Sequence, residues 1–594
     1  MKTSRTLPAF LKSDKTIFAA QFIAGAVIVV VVFVVLQSAT QAICCGDFDG
    51  YYHIKWSRML WESLRHRSFP PAFTWLPLTT LNPNHYVDHH LLFHVFQIPF
   101  TFGDLRQGAK LASIIFASIA VFSCFWLLLH FRIRYAMIWL LALLGCSAPF
   151  LFRLNMAKAP PLAITFMVIG IWLLFKKKYW PLIPLAFVFS LTYDMVVLLI
   201  LAACFWVVVI AWTERRFEWR PLVWVLLGTV AGFVINPYFP QNLHLFYEHV
   251  RVKLTPSDFS TKVGQEWYPY NSWEFLGNSL VACVAMVVGY IAFDPGDRER
   301  AHHPLFFLLF STLLLIMMAR WKRIAEYWPP FAVMFAAFSL QPWLVGARSA
   351  FTNLPNDVLD ELQPFLDRDE LAASSQEQQK RALLRTIIGA VVAIALATAF
   401  VLNVRATMFD IGTSEKHDYY RAGAEWMRAN IPPGEIIFNT DWDDFPRLFY
   451  FDPTHRYVSG LDPTYLFDSN PALSQLYDRI TLGEEDDPGP LIRDRFGARY
   501  VFTDNGHDDF YEKATESGWF EVVYEDAQCT ILRLRDQKLE PPPEEPLIEG
   551  PSGPAPTPSP EDLLIEGPSG RAPIPSSSPS PSASPSQLPS PGAP

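Results

Sequence analysis

Patterning along the chain predicts a polytopic α-helical membrane protein of about eleven spans, followed by a C-terminal extracytoplasmic α/β domain and a disordered tail. Three observations predict this class. Hydrophobic residues make up 51% of the 594 residues and charged residues only 18%, a balance natural to a chain with many spans. Apolar runs near the length that crosses a bilayer recur up to about residue 404. Basic residues gather in alternate short connections, as the insertion bias of cytoplasmic loops requires.

The runs lie at about 17–43, 109–131, 135–151, 160–175, 180–192, 194–212, 222–236, 275–293, 304–319, 327–345 and 385–404. The first is too long, and its small-residue cleavage pattern too weak, for a secretory signal. Lys2, Arg5, Lys12 and Lys15 put the N-terminus in the cytoplasm. Arg132 and Arg134, Lys176 to Lys178, Arg215, Arg216 and Arg220, and Arg298 and Arg300 then agree with one topology. It places the loops 44–108 and 237–274, and everything after residue 405, outside. The seven cysteines match no disulfide framework and no zinc spacing, and read as small buried apolar residues.

Several charges depart from this pattern. Arg153 and Lys158, and then Arg320, Lys322 and Arg323, fall in turns on the outer side. Cations there run against the insertion bias. They either snorkel to ordinary head groups or meet a phosphate, which a guanidinium holds bidentately. Asp47 and Asp49, in Gly46-Asp47-Phe48-Asp49-Gly50-Tyr51-Tyr52-His53, stand at the mouth of the first span. Such carboxylates can take a proton from an acceptor or hold a divalent cation against a phosphate. Tyr51 to His66 has the apolar spacing of an amphipathic helix suited to a membrane surface. His85, His89, His90 and His94 pair at helical spacing around Asp88 without a metalloprotease motif. Glu266 is a third outer carboxylate, and three such acids could converge on one magnesium or manganese ion. Asp194 is placed to cap the helix next to it.

Residues 405–538 alternate helix and strand as a small α/β domain does. Helices are predicted at His417–Asn430, Leu491–Phe496 and Asp508–Ser517, strands at Glu435–Asn439 and Tyr500–Thr503, and a hairpin through Phe520–Leu534. The turn Asp441-Trp442-Asp443-Asp444-Phe445 comes after a strand, where binding groups often sit. It either reads an acceptor through Trp442, Asp443 and Asp444 or caps a helix. Residues 539–594, rich in proline and serine with Leu-Ile-Glu-Gly-Pro-Ser-Gly occurring twice, are expected to be disordered.

Taken together, Asp49-Gly50-Tyr51-Tyr52-His53, Val263-Gly264-Gln265-Glu266 with Pro269, and Arg320 or Arg323 before Tyr327 resemble the motifs of the oligosaccharyltransferase catalytic subunit and its bacterial and archaeal relatives, within the glycosyltransferase-C superfamily. The resemblance covers roughly residues 15–535. It implies a glycosyltransferase of the outer face of a bacterial inner membrane, with a lipid-linked sugar as donor and a protein, glycan or lipid as acceptor. No nucleic-acid partner is expected. Asp49, helped by Asp47 and Glu266, would be catalytic; Arg153, Lys158, Arg320 and Arg323 would bind the donor phosphate. Asp49, Glu266 and Asp88 would hold a magnesium or manganese ion. The family's second acidic motif has no carboxylate counterpart near Arg153–Lys158, so either Asp88 replaces it or the cations neutralise the phosphate without a metal. Its Trp-Trp-Asp-Tyr-Gly motif is matched only by Asp441–Phe445, which predicts the superfamily chemistry without an asparagine acceptor. Transfer of a single sugar from a polyprenyl monophosphate is the nearest alternative, and a transporter or assembly factor the more distant one.

Overall fold

Helices dominate the computed structural model, which describes residues 14–43, 45, 48–254, 265–298, 300–349 and 368–539. Asp47 and the tail beyond Leu539 lie outside the described residues. The first fifteen helices are α1 (Asp14–Ser38), α2 (Asp49–Arg65), α3 (Leu91–Gln97), α4 (Leu105–His130), α5 (Ala136–Leu144), α6 (Ala148–Asn155), α7 (Pro160–Phe175), α8 (Leu182–Thr192), α9 (Val196–Thr213), α10 (Arg220–Val234), α11 (Gln241–Leu254), α12 (Ser272–Asn278), α13 (Leu280–Ala292), α14 (His302–Arg320) and α15 (Trp328–Ser349). A long helix, Arg368–Gly412, comes next. A helix or a bent helix pair therefore stands at each of the eleven predicted runs. Among the described residues five helices are long and apolar enough to cross a membrane, or up to seven if each bent pair is one span. Helices α7, α8 and α10 are apolar but shorter. The chain is an integral membrane protein.

Two bent pairs shape the interior of the bundle. Helices α5 and α6 meet at 77°, and α12 and α13 at 86°. The breaks lie against each other. Ser279 Oγ donates to Ser147 Oγ at 3.0 Å, and Ala282 N–H donates to the Cys146 carbonyl at 3.3 Å. Ser147 also caps α6 by accepting from Phe150 N–H, with Pro149 fitting the first helical turn. A carbonyl or hydroxyl freed by a break in an apolar bundle needs such a partner.

Beyond the bundle, residues Ile436–Asn439 (β1), Arg456–Tyr457 (β2), Tyr500–Asp504 (β3), Phe520–Glu525 (β4) and Cys529–Leu534 (β5) form one sheet of order β2-β1-β3-β5-β4. The first three strands are parallel, and β5 and β4 add an antiparallel hairpin. The short strand β2 and the helices Phe445–Phe451, Thr464–Ser469 and Pro471–Thr481 are additional to the predicted elements.

The apolar face of α2 is covered by protein rather than by a membrane surface. Tyr52, Trp56 and Leu60 share one core with Phe445, Leu448 and Phe449 of the post-β1 segment. Tyr51 packs edge-on to Tyr450, and Arg447 lies over the Phe48 ring at 3.7 Å. Three other expectations are corrected. Cys45 is disulfide-bonded, whereas Cys124, Cys146, Cys204, Cys283 and Cys529 are free thiols among apolar neighbours. Helix α3 begins only at Leu91, so His85 and His89 share no helix. The cap position of α9 is Met195, not Asp194.

Candidate active site

Arg153 occupies the last turn of α6, where the bend of the α5–α6 pair carries it toward three other segments. The end of that helix is pinned to α1: Gln37 Nε2 donates to the Asn155 carbonyl at 2.7 Å, with both side chains buried. Arg323 sits in the 3₁₀ turn Lys322–Glu326 between α14 and α15, and Glu266 in the 3₁₀ turn Gln265–Trp267. Lys322 N–H donates to the Tyr268 carbonyl at 2.9 Å, which fixes one turn on the other.

These side chains form one network, in which Tyr193 and Glu326 are buried and Arg153, Arg323 and Glu266 half-buried. Arg153 Nη2 donates to Glu266 Oε2 at 2.7 Å, and its Nε donates to Glu326 Oε1 at 2.6 Å. Arg323 Nη1 donates to the other oxygen of Glu266, and Nη2 to the Tyr193 hydroxyl at 2.6 Å. Its guanidinium lies 5.2 Å from the centroid of Trp267. Burial pushes the Glu266 carboxyl up, but Arg323, Arg153 and Lys158 outweigh it and hold the group well below the usual carboxylate range. The acid is therefore ionised, bridging two guanidinium groups.

Asp49 opens α2, at the end where a carboxylate complements the helix dipole. Lys158 Nζ lies 2.8 Å from Asp49 Oδ2. One helical turn along, His53 begins a buried chain of hydrogen bonds. His53 Nδ1 lies 2.8 Å from His94 Nε2, and His94 Nδ1 lies 2.8 Å from Asp88 Oδ2. Trp56 Nε1 and the His90 N–H also donate to Asp88. Burial alone would raise Asp88; His94 and Trp56 outweigh it and keep it below its ordinary value. Burial and the nearby His94, Lys158 and His89 push the His53 imidazole well below its own, so it is neutral. His90 stacks on Tyr193, which links this chain to the arginine network.

The structure gathers Asp49, Arg153, Lys158, Arg323 and Glu266. Arg320 is exposed at the end of α14 and takes no part in the bonds around Glu266. Asp49, Glu266 and Asp88 do not converge as ligands of one cation, because each is satisfied by a different nitrogen donor. Among the described residues no group of three or more His, Cys, Asp or Glu side chains is placed to hold a metal ion. Trp442 and Asp443 are half-buried in a 3₁₀ turn after β1, and Asp444 is buried. Burial, then Asp441 and Asp504, push the Asp444 carboxyl well above the usual range, so it keeps its proton.

Glu326, Tyr193 and the pairing of Lys158 with Asp49 escaped sequence reading. Glu326 left one trace: an acid three residues after Arg323 in an otherwise basic turn.

The sequence matches no family model and no curated protein sequence significantly. Solved structures match over most of this chain. The oligosaccharyltransferase of Archaeoglobus fulgidus in its apo form aligns with a TM-score of 0.54 at 12% identity, covering 87% of this chain and 74% of that one. The same enzyme tethered to an acceptor peptide containing the NVT sequon aligns at 0.53, with 12% identity over 88% and 74%. ArnT from Cupriavidus metallidurans bound to undecaprenyl phosphate aligns at 0.51, with 16% identity over 89% and 100%. The chain shares the fold of the oligosaccharyltransferase and of ArnT.

Proposed function

We propose that the chain is a membrane glycosyltransferase that moves a sugar or oligosaccharide from a polyprenyl-phosphate or diphosphate donor to an extracytoplasmic acceptor. One observation carries this reading: Arg153 and Arg323, from distant segments, converge on the two oxygens of a single carboxylate beside the Asp49–Lys158 pair. Two guanidinium groups converging on one oxyanion make a phosphate site. Asp49 acts on the acceptor, accepting its proton or a hydrogen bond while the acceptor attacks the anomeric carbon. The bond from that carbon to the phosphate oxygen breaks, and Arg153, Arg323 and Lys158 stabilise the charge that grows on the leaving phosphate. Lys158 orients Asp49 for this step. In this reading Trp442 and Asp443 contact the acceptor. The distribution of basic residues supports an inner-membrane protein with a cytoplasmic N-terminus and the site on the outer face.

Transfer of a single sugar from a polyprenyl monophosphate is favoured by the same geometry, since the arginine pair spans one carboxylate and so matches one phosphate group. Mass spectrometry of lipid-linked sugars and surface glycans in a deletion strain tests both readings. The expected result is accumulation of a polyprenyl-linked donor and loss of one glycan. Unchanged lipid-linked sugars and glycans would sink both, and the accumulated species distinguishes monophosphate from diphosphate.

A further inference from the structure

Arg153 serves two carboxylates in opposite settings. The Glu326 side chain is 1% exposed, whereas that of Glu266 is 21% exposed. Glu326 comes from the turn that also carries Arg323, and its Oε1 faces Arg153 Nε. Glu266 spends one oxygen on each guanidinium, the arrangement in which two oxygens of a phosphate would sit. Arg153, Arg323 and Lys158 already face Glu266, Glu326 and Asp49, so the cations are balanced. A donor phosphate entering beside both glutamates would place like charges together in a desolvated site, which is strongly unfavourable. One carboxylate must yield. Glu326, enclosed by protein, has nowhere to go, whereas Glu266 has solvent beside it while its backbone stays tied to Lys322 through Tyr268.

We infer that Glu266 keeps the place of the donor phosphate and is displaced when the donor binds, while Glu326 is a positioning residue that holds Arg153 throughout. The inference rests on the donor-phosphate reading of the same site. The resting site is thereby kept from collapsing onto unpaired arginines, and the phosphate meets guanidinium groups already aligned. The Tyr193 hydroxyl does for Arg323 what Glu326 does for Arg153.

The two carboxylates then have opposite effects on donor affinity. Equilibrium binding of a polyprenyl monophosphate to the full-length protein in detergent, with the corresponding polyprenyl alcohol as control, reads them. Glu266→Gln binds the phosphate about tenfold tighter than the wild type, and Glu326→Gln binds it at least tenfold weaker. Glu266→Asp, which keeps the charge, stays within a few-fold of the wild type. Should Glu326→Gln fail to fold, Glu326→Asp serves in its place and shows partial weakening. Weaker or unchanged binding in Glu266→Gln overturns the place-keeping role, and unchanged binding in the folded Glu326 variant overturns the positioning role. A wild type that binds phosphate no better than alcohol overturns the donor-phosphate reading itself.

Discussion

Two regions bury acids, and they treat them in opposite ways. Around Arg153 and Arg323, every carboxylate brought in from water meets a cation, and Glu266 stays ionised against its burial. After β1, Asp444 is buried with Asp441 and Asp504 close enough to repel it, and the carboxyl takes up a proton instead. Glu266 and the Asp441–Asp444 turn both read as outer acids in the sequence. What separates them is the partner: a buried acid beside guanidinium groups is a charged device, whereas one beside other acids becomes a neutral packing group.

The contrast breaks most visibly at Arg153. Arg153→Met leaves Glu326 buried without its cation and lowers stability by about 3–5 kcal/mol, with sugar transfer lost; thermal unfolding in detergent measures the first. Adding Glu326→Leu to that variant restores most of the stability but none of the transfer, because an apolar pair replaces a buried ion pair at little cost. A double variant that remains as unstable as the single one would mean that Glu326 is not what Arg153 neutralises.

Titration separates the regions next. Asp444 titrates higher in the folded protein than unfolded, so its contribution is full at low pH and fades as pH rises through the folded value. Glu266 titrates lower when folded, so its contribution is present above the unfolded value and fades as pH falls. Between about pH 5 and 9, Asp444→Asn flattens the loss of thermal stability on the alkaline side, by on the order of 1 kcal/mol. Glu266→Gln instead removes a loss on the acid side, one that sets in only as pH falls below the ordinary glutamate value of about 4.5. Parallel curves for the two variants would erase the distinction.

A smaller effect sharpens the link between the regions. Arg447 is buried, pairs with Glu415 and lies over Phe48, the residue before Asp49. Arg447→Lys keeps the charge but loses the planar stack, which is worth about 2 kcal/mol when desolvated. Transfer should fall several-fold with the bound-donor affinity unchanged, as separate kinetic and binding assays will read.

Much of the scaffold was legible because its signals are local. Apolar runs marked helices at all eleven positions, and turn residues with β-branched runs marked β1, β3 and the β4–β5 hairpin. Arg153 and Arg323 were legible as cations on the outer side, and Asp49 as a carboxylate at the mouth of the first span. Their partners were not. Glu326 carries little signal until Arg153, 173 residues earlier in the chain, is packed against it. The apolar stripe of α2 was visible, but whether membrane or protein covers it depends on a helix that begins at Phe445. The chain from Asp88 through His94 to His53 crosses from the α3 segment to α2, and no spacing rule within one helix reaches it. The disulfide at Cys45 was missed because most of the other cysteines lie in apolar runs.

In the proposed function, chemistry occurs at Asp49 beside Lys158 and the arginines, and not at the acid turn after β1. Sugar release from a polyprenyl-phosphate sugar by purified protein tests it directly, comparing Asp49→Asn with Asp444→Asn. Transfer falls about 10²- to 10⁴-fold in Asp49→Asn, with polyprenyl-phosphate binding retained, and stays near the wild-type rate in Asp444→Asn. Unchanged transfer in a correctly inserted Asp49→Asn protein would mean that Asp49 does not act on the acceptor.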